Sequence, residues 1–98
     1  MICDFAWALE RLKEGKQLTR ISWNFNQRIF LITGRTVDYN TFYSWKNNAC
    51  QAFDPPQDVV IRDHIDMKMV DGTYLTGWTP SQDDLFADDW VIVERKYG

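Results

Sequence analysis

Two clusters in the chain pair an indole with amide or hydroxyl groups: Trp23-Asn24, and Trp78-Thr79-Pro80-Ser81-Gln82. Such a pairing suits a flat heteroaromatic ring. An indole stacking on a base face is worth about 1–3 kcal/mol. Asn, Gln and Ser can read ring edges and ribose hydroxyls. Ser81 also sits where a short helical turn begins, and the backbone N–H groups of a helix start favour a phosphate. Burial in a core or at a subunit interface competes for the same tryptophans, because Trp is strongly buried on average.

Groups suited to catalysis are sparse. His64 is the single histidine, and it falls on the polar side of a strand pattern. General acid–base work needs a second positioned group, and the sequence names none. HExxH, CxxC, P-loop and GxGxxG patterns are all absent. The acids Asp83, Asp84, Asp88 and Asp89 lack the alternate ligand positions and sixth-position glycine of a calcium loop. They read as capping and solvated carboxylates. The expectation is a binder with no catalytic residue, no metal site and no cofactor.

The elements that must position these groups follow from periodicity. Phe5, Ala8, Leu9 and Leu12 recur at helical spacing, with Asp4 as N-cap and Gly15 as C-cap, so residues 4 to 14 read as one amphipathic helix. Residues 17 to 22 and 28 to 33 read as short strands. Residues 34 to 58 have no clear period and read as an excursion with a short helix near 41 to 45. From Val59 to Val70 the alternation is strand-like, with Val59, Ile61, Ile65, Met67 and Met69 on one face. Arg62, His64, Asp66 and Lys68 fall on the other. Asp71-Gly72 is a tight hairpin turn, and residues 73 to 78 return as its partner strand. Ser81 and Asp84 form a capping-box spacing, with Asp in place of the usual Glu or Gln. Val91 to Val93 form a last strand. The expected class is α+β: a small antiparallel sheet, one N-terminal amphipathic helix and a short C-terminal helical turn. The chain reads as a single domain, 1–98.

Its 98 residues give a thin core, for which oligomerisation is a common remedy. Aromatics reach 15 %, more than a small core readily hides, so some rings belong at an interface or in a ligand pocket. The formal net charge of −3 argues against DNA binding, which needs a basic surface, but leaves room for one small phosphorylated ligand. Cys3 and Cys50 are too few for a disulfide scaffold and read as free thiols. With no signal peptide, lipidation pattern or long apolar run, the expected setting is cytoplasmic, without membrane attachment.

The run Trp78-x-Pro80-Ser81-Gln82-x-Asp84-Leu85-x-Ala87-x-Asp89-Trp90 resembles the C-terminal signature of the Thoeris anti-defence type-two family of small phage and prophage proteins. The block His64 to Lys68 with Asp71-Gly72-Thr73 is also similar to that family. So is the start, with Phe5, Ala8, Leu9, Lys13, Gly15-Lys16, Arg20 and Trp23-Asn24. The turn after Trp23-Asn24 departs from it: many members carry Gly-x-Gly, where this chain has Phe25-Asn26-Gln27.

The resemblance implies a sponge that sequesters a cyclic ADP-ribose isomer without cleaving it, inside the infected host. It implies a homotetramer built as a dimer of dimers, with pockets between protomers. Some members hold cyclic oligonucleotides at a separate site. Carried onto this chain, the ligand-binding residues would be Trp23 and Trp78 against the adenine or ribose face, and Asn24 and Gln82 as amide contacts. Ser81, with the backbone after Pro80, would meet a pyrophosphate or hydroxyl. Asp66 and Asp84 would accept from ribose hydroxyls or orient neighbours, and Arg20 and Arg28 would neutralise phosphate. The alternatives are a cyclic oligonucleotide sponge, a nucleotide-cleaving enzyme, or an inhibitor that binds a host enzyme.

Overall fold

The computed structural model describes residues 3–23, 26–45 and 57–94. In chain order the elements are α1 (Phe5–Lys13), β1 (Leu18–Arg20), β2 (Arg28–Ile32), β3 (Arg35–Val37), α2 (Tyr39–Trp45), β4 (Val59–Ile61), β5 (His64–Lys68), β6 (Tyr74–Thr76), α3 (Gln82–Phe86) and β7 (Trp90–Ile92). The class is α+β, as expected. Two compact units are formed: Met1–Ile32 with His64–Gly98, and Thr33–Asp63. Asn24, Phe25, Cys50 and the Pro55-Pro56 pair lie outside the described residues.

In the first unit α1 starts and stops where its caps dictate. The Asp4 carboxylate accepts the Trp7 N–H at 2.9 Å. At the other end the cap residue is Glu14, and Gly15 follows in the left-handed region at φ +89°. Lys16 N–H reaches the Arg11 carbonyl and Gly15 N–H reaches the Leu12 carbonyl, which closes a Schellman motif. Glycine suits that φ because it has no Cβ to clash.

The sheet order is β6-β5-β2-β1-β7, and each neighbouring pair is antiparallel. The register sets Leu18 against Ile29 and against Ile92. It also sets Ile29 against Met67 and Met67 against Leu75. Side chains alternate along a strand, so these residues share the face that receives α1. The core there is Ala8, Leu12, Leu18, Ile29, Met67 and Trp90. Full burial of a side chain such as Leu12 or Ile29 stabilises by about 1.5–3 kcal/mol. The Asp71-Gly72 turn forms as its sequence predicts, with Gly72 at φ +89° and the Asp71 carboxylate accepting the Thr73 N–H at 2.9 Å.

The stretch 59–70 is not one strand. It divides at Arg62-Asp63 into β4, which pairs with β3, and β5, which pairs with β2 and β6. Asp63 occupies the position where the apolar alternation required a hydrophobic residue. Its carboxylate accepts the Gly34 N–H at 2.6 Å instead. Alternation alone does not mark a change of sheet, because both segments keep the same period.

The second unit holds the region expected as an excursion. β3 and β4 form an antiparallel ribbon with Val37 opposite Val59. Asp38 precedes α2, accepting the Thr41 N–H at 3.0 Å and the Thr41 hydroxyl at 2.7 Å. A Cβ on Gly34 would collide with the backbone of Ile61, so a side chain there would part the ribbon.

Candidate functional site

The first unit brings Trp23, Trp78 and the α3 turn together around Trp90. Trp90 is fully buried, and its indole N–H donates to the Asp84 carbonyl at 3.2 Å. Trp23 and Trp78 meet it edge-on, with ring centroids 5.2 Å and 6.3 Å away. They also meet each other edge-on at 6.1 Å. Phe5 closes the cluster against Trp90 at 5.5 Å. Edge-to-face packing is a favoured aromatic arrangement. Trp23 and Trp78 are only half-buried, so each presents ring surface beyond this contact.

Beside the rings, Arg20 ties three segments together. Its Nε donates to Asp89 at 2.8 Å and its Nη1 to Asp84 at 2.9 Å. Its guanidinium carbon lies 6.0 Å from the Trp23 ring centroid. The hydrogen bond to Asp89 raises the Arg20 pKa above its ordinary value, against the lowering effect of burial, and Asp84 adds to the rise. Burial alone would push the Asp89 carboxyl up, but Arg20 and the Ser22 N–H at 3.1 Å hold it below the ordinary carboxylate value.

Asp84 is buried, and both its oxygens are engaged. One accepts from Arg20; the other accepts the Ser81 N–H at 2.9 Å. The Ser81 hydroxyl in turn accepts the Asp84 N–H at 3.1 Å, which completes the capping box. Aspartate thus serves where glutamate is usual. The hydroxyl proton of Ser81 is left for donation. Pro80 is half-buried and Gln82, the first residue of α3, is exposed.

The expected site residues therefore separate. Arg20, Trp23, Trp78, Pro80, Ser81, Gln82 and Asp84 gather around the Trp90 cluster and α3. Asn24 lies outside the described residues. Asp66 and Arg28 project from the opposite sheet face, since Asp66 alternates with Met67, and Arg28 with Ile29. Asp66 accepts the Gly77 N–H at 3.0 Å and lies 3.3 Å from His64 Nε2. Arg28 stands directly across from Lys68.

Two participants were not among the expected ligand residues. Asp89, expected as a capping or solvated carboxylate, holds Arg20, and Trp90 holds the Trp23 and Trp78 indoles. The signal for Asp89 was its place next to Trp90, but nothing local names Arg20 as its partner. Among the described residues no group of three or more His, Cys, Asp or Glu side chains is arranged to hold a metal ion. Nor is any helix among them long and apolar enough to cross a membrane.

The comparison with curated proteins found no match. The family profile described as the Thoeris anti-defense 2-like domain matches residues 3–93. That span includes α1, the whole five-stranded sheet, α3 and the Arg20 network just described. The chain belongs to the Thoeris anti-defense 2-like family.

Proposed function

We propose that this protein counters Thoeris defence by capturing a cyclic ADP-ribose-type signalling nucleotide and holding it uncleaved. The observation that carries this reading is the half-buried pair Trp23 and Trp78, held edge-on to a buried Trp90 beside Arg20, which is paired with Asp84 and Asp89. Rings fixed in this way offer a rigid platform, so little ordering entropy is lost when a base stacks on them. Gln82 and the Ser81 hydroxyl lie at the start of α3 to read polar edges. Arg20 holds the platform through Asp84 and Asp89.

Association of copies belongs to the same reading. Phe86 is 84 % exposed, Ile21 63 % and Leu85 40 %, apolar surface suited to burial between protomers of a dimer of dimers. The working place would be the cytoplasm of the infected host. No catalytic group is assigned.

A sponge must outcompete a receptor, so nanomolar affinity is expected, about −12 kcal/mol. Protein mixed with cyclic ADP-ribose isomers, then heat-denatured, should release the intact ligand. Release of a cleaved product would overturn the reading and turn attention to His64 and Asp66. At a thousandfold excess over Kd the ligand should stabilise the fold by about 4 kcal/mol. Trp23→Ala and Trp78→Ala should abolish the thermal shift, with Trp78→Phe keeping part of it. Native mass should report a tetramer. Cyclic oligonucleotides belong in the same panel as the competing cargo.

A further inference from the structure

The sheet face opposite α1 carries a separate set of groups. Arg28, Lys68 and Tyr74 are register partners in one row across β2, β5 and β6. Phe30, two positions along β2, meets the Tyr74 ring edge-on at 6.1 Å. With Gln17 these residues line a cleft of about 380 Å³, within the range of roughly 300–1,000 Å³ typical of small-ligand pockets.

Like charges directly opposed on neighbouring strands repel. Among the described residues neither Arg28 nor Lys68 makes an ion pair. Asp66, the nearest acid along β5, gives its Oδ1 to the Gly77 N–H and to His64 and makes no ion pair with either cation. Both cations are half-buried, which weakens solvent screening between them. On a chain of net charge −3 this is a local reversal of sign. An anion placed between the two would convert the repulsion into two attractions. A guanidinium fork and an ammonium point charge are both phosphate ligands. Two full positive charges match a terminal phosphomonoester, which carries about −1.5 to −2 at neutral pH, better than a singly charged diester. Tyr74, 64 % exposed, borders the cleft with its ring available for stacking.

We propose that this cleft is a second ligand site, taking a terminal phosphate carried on a planar ring, with the phosphate between Arg28 and Lys68 and the ring on Tyr74. It lies on the sheet face away from Trp23 and Trp78 and stands independently of the sponge reading.

Calorimetric titration of the full chain with AMP, adenosine, 3′,5′-cyclic AMP and inorganic phosphate tests it. AMP should bind saturably, and at least tenfold more tightly than the other three. Arg28→Ala and Lys68→Ala should each weaken AMP tenfold or more. Tyr74→Ala should weaken AMP and leave inorganic phosphate unchanged. Ligand-free Lys68→Ala should melt no lower than the parent, because it removes a repulsion; that separates loss of a ligand contact from loss of fold. The proposal is overturned if AMP shows no saturable binding up to millimolar concentration. Equal binding of inorganic phosphate or of the cyclic diester overturns it too, as does AMP binding that survives both charge removals.

Discussion

Under α1, Arg20 lies between two carboxylates, at 2.8 Å and 2.9 Å. On the other face of the same sheet, Arg28 lies across from a second cation, Lys68. Both arginines are half-buried, and both sit within short strands of the same sheet. What differs is the company that register supplies. Charges that serve the fold are paired where they are buried, because an unpaired buried charge is costly. Charges left to repel each other are a cost the fold tolerates without a structural return, and that contrast sets the two arginines in different roles.

The contrast can be broken most directly at Trp90. It is fully buried at the centre of the ring cluster, so Trp90→Ala should cost about 4 kcal/mol in a denaturant titration. A loss below about 1 kcal/mol would mean that the cluster is not the core it looks like. Next, Arg20→Ala leaves Asp84 and Asp89 without their cation. It should cost about 3 kcal/mol, and Arg20→Lys should recover only part, because an ammonium cannot reproduce the fork.

A smaller effect is expected from acid. Asp89 titrates below its ordinary value in the folded protein, so the unfolded chain takes up its proton first as pH falls. Its contribution is complete above the unfolded value, about 3.9, and is lost as pH drops through the folded one. Asp38 and Asp71, held low by Thr41 and Thr73 respectively, act in the same direction. Asp89→Asn should therefore lower stability at neutral pH and flatten the decline below about pH 4. An outcome with neither a neutral-pH loss nor flattening would remove Asp89 from the Arg20 network.

The smallest effect belongs to the open face. In the absence of ligand, Lys68→Ala should change stability by less than about 0.5 kcal/mol, toward stabilisation. A clear loss would show that Lys68 has a structural role and would erase the difference between the faces.

What could be read from sequence was local. The Asp4 cap, the Gly15 terminus, the Asp71-Gly72 turn and the Ser81–Asp84 box all formed as their spacing predicts, because each closes within a few residues. Trp23 and Trp78 were identifiable as paired candidates from residue type and from family resemblance. The division at Asp63 was missed because two segments of equal period look continuous.

The sequence by itself determined the N-terminal helix, the caps, the tight turn and the family, since these rest on residue identity and on contacts within about one turn of chain. Only the tertiary structure decided which arginine is paired. Arg20 meets Asp89 across 69 positions, and Arg28 stands across from Lys68 only because Ile29 packs level with Met67 in the core. Strand register is fixed by burial on one face, and it carries every charge on the opposite face along with it.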